Sequence, residues 1–196
     1  MKIQAAIFDI GNVLLLFDYM RAARRLMQKN GLTEAPDRAR ITAAVNDYEC
    51  GRIDRNAFLD VVRPEFQDAG PPEDFIQIWQ EIFDENLPMT VLARRLAKSM
   101  PVFLISNIGD IHLEFIRREY SVFEIFSDGI YSFESGMMKP DPRVFDLAVT
   151  KFHVDPASTI YFDDMAENCA AAADRGFLAH HYDYNCHAAA EAWLTT

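Results

Sequence analysis

Four groups of polar residues along the chain have the types and spacing to do chemistry, and each comes at or soon after the end of a predicted strand. The groups are Asp9 with Gly11-Asn12, Ser106-Asn107, Lys139, and Asp163-Asp164. Three carboxylates in one place repel one another unless a cation lies between them. Mg²⁺ suits that position, because it is a hard ion that takes oxygen ligands and leaves coordination sites for phosphate and water.

A count of charges shows what such a cluster can bind. Asp9, Asp163 and Asp164 supply three negative charges, and a phosphate dianion would add two more. Mg²⁺ and Lys139 together return three positive charges, so a phosphate is repelled without them. With them in place, the Asp9 carboxylate could attack phosphorus in line and form an aspartyl-phosphate that water then hydrolyses.

The order of predicted elements would bring these groups together. Apolar runs predict strands in the stretch from Ile3 to Leu16 and at residues 101–106, 128–133, 159–162 and 177–182, with helical periodicity between most of them. Strands that alternate with helices indicate an α/β fold whose parallel sheet has helices on both faces. The carboxyl ends of parallel strands share one edge, where ligands bind, so we expect the four groups to converge there.

The segment between the first two strands reads as helix only. Helices are predicted at residues 18–30, from a cap at Thr33 or Asp37 to Glu49, at 54–64 and at 73–86. This block is too long for a single crossover, so we predict an α/β core of residues 1–16 and 89–196 with an all-helical insert at 17–88. The turn at residues 47–52 is expected to reach the site, with Tyr48 and Arg52 binding substrate. Phe17, Asp18 and Tyr19 are candidates to line the same cavity.

Bulk composition narrows the class of protein. The 196 residues carry a formal net charge of −11, from 19 basic and 30 acidic residues, which argues against non-specific binding to nucleic acid or to anionic membranes. The cysteines are Cys50, Cys169 and Cys186, with no C-x-x-C pair, so neither a disulfide scaffold nor a zinc site is expected. No apolar run has a membrane span's length and no signal-peptide pattern is present, so we expect a cytoplasmic location.

Four segments in order carry a resemblance to a known family. FDIGNVLL, LISN, GMMKPDPRVF and YFDDMAEN resemble the motifs of the haloacid dehalogenase superfamily, and the insert resembles its small helical cap on a Rossmann-like core. The sequence is most similar to the sugar-phosphatase branch with a DxGNV first motif. The resemblance implies Asp9 as nucleophile and metal ligand, Ser106 and Asn107 as phosphate ligands, Lys139 as the neutralising cation, and Asp163 and Asp164 as Mg²⁺ ligands. We also place Gly11 and Asn12 among the substrate-binding residues.

Gly11 departs from the family pattern, because most phosphatases of the superfamily have a second aspartate there as general acid and base. The backbone carbonyl of Gly11 can still ligate the metal ion, but a proton donor worth about 10²–10⁴-fold in rate is missing. A cap residue or water could replace it. We therefore predict a Mg²⁺-dependent phosphatase for a small phosphorylated metabolite, in particular a sugar phosphate. The alternatives are a 2-haloacid dehalogenase, whose halide leaves without a proton, and an inactive member that only binds a phosphorylated ligand.

Overall fold

The first strand lies at the centre of a five-stranded parallel sheet. The computed structural model describes residues 3–194. The strands of the sheet are Ala5–Phe8 (β1), Val102–Ser106 (β4), Asp128–Tyr131 (β5), Thr159–Asp163 (β6) and Leu178–His181 (β7), in the order β5-β4-β1-β6-β7. Phe8 at the end of β1 pairs with Leu104 and Phe162, so three strands end side by side. The predicted parallel α/β sheet is confirmed.

Apolar residues cover both faces of this sheet. Every residue of β1, β4 and β6 is buried, as expected for central strands of a parallel sheet. Successive side chains point to opposite faces, so Phe8 belongs to one apolar cluster and Ile7 to the other. The flanking helices are Leu87–Leu96 (α5), Asp110–Glu119 (α6), Ser132–Ser135 (α7), Pro142–Phe152 (α8), Ala166–Asp174 (α9) and His187–Trp193 (α10).

The predicted insert contains four complete helices, which are Tyr19–Asn30 (α1), Arg38–Glu49 (α2), Arg55–Glu65 (α3) and Pro72–Gln80 (α4). Asp18, Asp37 and Asp54 cap the first three helices by accepting hydrogen bonds from backbone N–H groups of the first turn. Asp37, rather than the alternative Thr33, is thus the cap of α2. Gly31 ends α1 in the left-handed region, with φ of 67°.

One prediction for the insert is wrong. The fourth helix does not continue to residue 86, because it ends at Gln80 and Phe83–Glu85 forms a strand (β3). This strand pairs antiparallel with Leu15–Phe17 (β2), where Phe17 lies opposite Phe83. The pairing satisfies backbone groups that a short helical tail would leave to water, and it buries Phe83. The predicted domain boundary at 16/17 falls within β2 and the one at 88/89 falls in the first turn of α5, and both stay a prediction.

Smaller differences affect element ends. Helix α5 begins at Leu87, because Asn86 turns the chain there by donating to the carbonyl oxygen of Val13 (2.6 Å) and to the hydroxyl of Tyr182 (2.9 Å). Strand β5 gives way to the short helix α7 at Ser132, so the strand predicted at 128–133 is two residues shorter. No helix among residues 3–194 has the length and apolar character to cross a membrane.

Candidate active site

A cavity of about 430 Å³ lies at the carboxyl edge of the sheet. Its lining contains seven of the sequence-predicted site residues, which are Asp9, Gly11, Asn12, Ser106, Asn107, Lys139 and Asp164. They come from the ends of β1, β4 and β6 and from the loop after α7, so the parallel sheet brings together residues more than 150 positions apart. An eighth predicted residue, Asp163, is buried directly beneath them.

Lys139 is the buried cation at the centre of the acidic group. Its Nζ lies 2.8 Å from Oδ1 of Asp9 and 2.7 Å from Oδ2 of Asp163. Burial lowers the pKa of Lys139, but the two carboxylates more than compensate, so its pKa lies above the usual value and the ammonium keeps its charge. Burial raises the pKa of Asp9 to about 7 and Asp163 raises it as well, whereas Lys139 lowers it. A bound metal cation would also lower the pKa of Asp9.

Asp163 uses both carboxylate oxygens on neighbouring protein groups. Oδ2 accepts from Lys139 and from the hydroxyl of Tyr161, while Oδ1 accepts from the N–H of Met165 and from Nδ2 of Asn168, each at 2.9 Å. These four donors fill the acceptor positions of a carboxylate. Asp163 is therefore better placed to hold Lys139 than to ligate an ion directly, the role that the family resemblance implies for it.

The acidic group nevertheless fits a hard divalent cation. Oxygen atoms of Asp9, Asp163 and Asp164 all lie within 4.8 Å of one another. Asn12, which has a left-handed φ of 52°, donates its side-chain amide to Oδ2 of Asp164 at 2.9 Å and so fixes that carboxylate. Asp9 and Asp164 border the cavity together with Gly11, whose carbonyl is the further predicted ligand. A set of oxygen ligands without nitrogen or sulfur is what Mg²⁺ prefers.

The side chain of Asn107 is committed to the loop that carries Lys139. Its Oδ1 accepts from the backbone N–H of Lys139 at 2.9 Å, and its Nδ2 donates to the carbonyl oxygen of Lys139 at 3.0 Å. A phosphate contact from Asn107 would thus have to use its backbone N–H. The sequence does not distinguish a contact through this N–H from one through the side-chain amide. Ser106, the last residue of β4, is buried and borders the cavity.

Gly11 lies against an aromatic ring. A Cβ atom built on this residue would come within 2.9 Å of the Cε1 atom of Phe17. The ring of Phe17 thus occupies the space that a larger residue at position 11 would need. Such a residue would force the ring or the backbone to move. The absence of a carboxylate at this position is therefore accompanied by an apolar wall that faces the same cavity.

Tyr48 and Arg52 are predicted substrate ligands that the structure does not bring into the cavity. Tyr48 is buried, its ring stacks on Phe58 at 4.4 Å, and its hydroxyl donates to Asp110. Arg52 is mostly exposed and donates to Asp47 at 2.6 Å. These packing partners leave neither side chain facing the cavity, although the turn that carries them does reach the core.

The residue of this turn that borders the cavity is Glu49, at the end of α2. Tyr19 and Phe17 also border it, as the sequence suggested, whereas Asp18 serves as the cap of α1. No sequence pattern indicates a site role for His112, a buried residue of α6 whose ring stacks on Trp79 with centroids 6.2 Å apart. A histidine on an apolar helix face resembles a core residue, and only the packing of insert on core shows that it faces a cavity.

His112 should make folding stability depend on pH. Burial lowers its pKa to about 4, while its Nε2 donates to the carbonyl oxygen of Trp79 at 3.1 Å and opposes that shift. The pKa of His112 in the folded protein is below the unfolded value of about 6.5. The free energy of unfolding therefore falls as the pH drops from about 6.5 towards about 4. We expect wild type to lose about 2 kcal/mol more than His112→Gln between pH 7.5 and pH 5, as measured by urea unfolding.

Asp9 and Glu49, which also titrate in this range, are present in both proteins, so the difference isolates His112. Equal losses in the two proteins would contradict the prediction.

A family model described as haloacid dehalogenase-like hydrolase matches residues 3–176. Among curated proteins, the chain is 26% identical over 185 residues to D-ribitol-5-phosphate phosphatase of Bacteroides thetaiotaomicron, covering 89% of each sequence.

Two solved structures show the same fold. A haloacid dehalogenase family enzyme of Bacteroides thetaiotaomicron, in complex with magnesium and inorganic phosphate, superimposes with a TM-score of 0.82 at 23% identity, over 93% of this chain and 95% of that one. A predicted haloacid dehalogenase-like hydrolase of Porphyromonas gingivalis gives 0.79 at 20% identity over 100% of both chains.

Proposed function

The chain belongs to the haloacid dehalogenase-like hydrolases, and we propose that it is a Mg²⁺-dependent phosphatase that acts on a small sugar or sugar-alcohol phosphate through an aspartyl-phosphate at Asp9. The observation that carries this proposal is the position of Lys139, whose ammonium joins Asp9 to Asp163 at the floor of the cavity. A cation beside the attacking carboxylate offsets the charge of a phosphate dianion, which three acidic residues alone would repel.

Each residue has a distinct part in this reaction. One carboxylate oxygen of Asp9 attacks phosphorus, and the bond to the leaving oxygen breaks opposite it. Lys139 holds the phosphoryl oxygens and lowers the pKa of Asp9, which favours the ionised carboxylate, while Asn107 and Asp163 hold Lys139 in place. Mg²⁺, when bound by Asp9, Asp164 and the Gly11 carbonyl, supplies further charge neutralisation at the phosphoryl group. Water then cleaves the aspartyl-phosphate and restores Asp9.

The cavity supports a small leaving group without charge. Lys139 is the single cationic side chain in the cavity lining found among residues 3–194. The wall beyond it contains Phe17, Tyr19, Phe83, His112 and Met138, and Glu49 adds a carboxyl group to it. A second phosphate on the substrate would meet no positive charge there, whereas a sugar could pack its apolar face on the rings and direct hydroxyl groups to Tyr19 and Glu49. The relative named D-ribitol-5-phosphate phosphatase supports the same substrate class.

Removal of the metal tests the proposal. We expect EDTA to reduce phosphate release from a panel of phosphosugars by at least about 10³-fold, because the lost charge stabilisation is worth several kcal/mol. Excess Mg²⁺ should restore the rate. Mass spectrometry of acid-quenched turnover should find the phosphoryl group on the peptide that contains Asp9.

Three outcomes would contradict the proposal. Full activity in EDTA would remove the metal from the mechanism. Chloride release from 2-chloropropionate without added metal would favour the dehalogenase alternative, in which Asp9 attacks carbon and the neighbouring pair Asp163 and Asp164 has no metal ion to compensate its charge. Tight binding of a phosphosugar in calorimetry with no turnover across the panel would favour the non-catalytic alternative.

A further inference from the structure

The reaction described above leaves the alcohol without a proton donor at position 11. The space next to Gly11 is filled by Phe17, so no nearby side chain takes over from that direction. Within the described part of the chain, the carboxyl groups that line the cavity belong to Asp9, Asp164 and Glu49. Asp9 is the proposed nucleophile and Asp164 a proposed metal ligand, which leaves Glu49 without an assigned role.

Glu49 is held in place by a single hydrogen bond. The hydroxyl of Tyr19 donates to its Oε1 at 3.0 Å, and its Oε2 has no hydrogen-bond partner among residues 3–194. The Tyr19 ring is fixed by contacts with Phe17 at 5.5 Å and with Trp79 and His112 at 5.8 Å between centroids. One carboxyl oxygen is therefore anchored, and the other is left for a ligand in the cavity.

We propose that Glu49 is the general acid and base of this phosphatase, supplied by the insert, and that Tyr19 is its positioning residue. The inference rests on the function proposed above. As Asp9 bonds to phosphorus, the electron pair of the breaking bond goes to the leaving oxygen, which takes the proton of the Glu49 carboxyl group and departs as an alcohol. The Glu49 carboxylate then accepts a proton from the water that attacks phosphorus, and Asp9 is released together with inorganic phosphate.

The electrostatic surroundings of Glu49 fit both halves of this cycle. Burial raises the pKa of Glu49 to about 7 and the negative charge of Asp9 raises it as well, while the Tyr19 hydrogen bond opposes the shift. A carboxyl group with a pKa near neutrality can give a proton in one step and take one in the next.

Other groups that face the cavity are less suited to the role. Burial raises the pKa of Tyr19 well above its usual value, so it does not give up its proton. His112 has its Nε2 bonded to Trp79, and burial lowers its pKa to about 4, so it carries no spare proton at neutral pH. Lys139 is paired with two carboxylates.

The test compares two leaving groups in Glu49→Gln. An alkyl phosphate such as glycerol phosphate needs a proton for its leaving oxygen, whereas the nitrophenolate of p-nitrophenyl phosphate leaves without one. We expect kcat/KM to fall by about 10²-fold or more for the alkyl phosphate and by less than about threefold for p-nitrophenyl phosphate. This constant reports steps only up to formation of the aspartyl-phosphate, so the later role of Glu49 as base does not affect it.

Two further variants complete the design. Tyr19→Phe should lower kcat/KM for the alkyl phosphate less than Glu49→Gln does, and again spare p-nitrophenyl phosphate, because it loosens the acid without removing it. Glu73→Gln, an exposed glutamate on the same insert, should match wild type on both substrates. Across a series of aryl phosphates, the rate should depend more steeply on leaving-group acidity in Glu49→Gln than in wild type.

The possible outcomes separate the inference from the proposed function. Equal losses on both substrates would assign Glu49 to substrate binding or to the fold, and no loss on either would exclude it from the reaction. Both results overturn the inference and leave the phosphatase intact. A wild-type protein that hydrolyses neither of these substrates nor any member of the phosphosugar panel would overturn the phosphatase proposal and this assignment with it.

Discussion

Asp9→Asn is expected to lower kcat for phosphate release by at least about 10⁴-fold, because it removes the proposed nucleophile. An amide cannot form the acyl phosphate, and nothing else in the described cavity lining has a carboxylate next to Lys139. The protein should fold without loss of stability, since the change removes one of three negative charges crowded around a single ammonium. Turnover assays measure the expected loss of kcat, and urea unfolding measures whether the free energy of unfolding is kept.

The matched control is Asp60→Asn, which alters an exposed aspartate of α3 and should keep the wild-type rate. Asp9→Asn protein that retains more than about a hundredth of the wild-type rate would exclude Asp9 as the nucleophile. A variant that fails to fold would instead show that the carboxylate is needed to pair with Lys139.

Lys139→Met is expected to affect both catalysis and stability. The ammonium makes two short ion pairs with Asp9 and Asp163, and removing one partner from a buried pair typically costs about 3–5 kcal/mol. The same change removes a cation from the proposed phosphoryl site, which should lower kcat/KM by at least about 10³-fold. Urea unfolding without metal and phosphate release with saturating Mg²⁺ test these effects separately.

The matched control is Lys98→Met, which alters an exposed lysine of the α/β part of the chain. It should leave the free energy of unfolding and kcat/KM unchanged. If Lys139→Met kept its stability, the buried carboxylates would have to be neutral in the native protein rather than held by the ammonium. If it kept its activity, the charge balance on which the phosphatase proposal depends would be wrong.

The parallel sheet and the position of four polar groups at its edge could be predicted because both depend on local patterns. Asp9, Ser106 and Asp163 each end or directly follow an apolar run, and the carboxyl ends of parallel strands meet by topology alone. The position of Lys139 is harder to predict from local patterns, because it depends on a loop that the side chain of Asn107 holds.

Other features depend on contacts distant in sequence and leave no local trace. Phe83–Glu85 is a strand only because β2 lies beside it, and three residues are too few to show a period. Glu49 lies in the turn that the sequence predicts to reach the site, but the residues predicted to bind substrate there are Tyr48 and Arg52. Which side chain of a turn faces a cavity depends on how the insert packs against the core, here through the ring of Tyr48 on Phe58 and its hydroxyl on Asp110.

The pairing of β2 with β3 has a mechanical consequence. The two chain segments that join insert and core are hydrogen-bonded to each other, and the N–H of Asp18 to the carbonyl of Ile82 extends the connection. Two separate strands would let the insert twist and slide, whereas a paired ribbon acts as a hinge that favours bending. Phe17 and Phe83 lie on this ribbon and also line the cavity. Bending of this ribbon would therefore reshape the cavity wall on which the leaving group is proposed to pack.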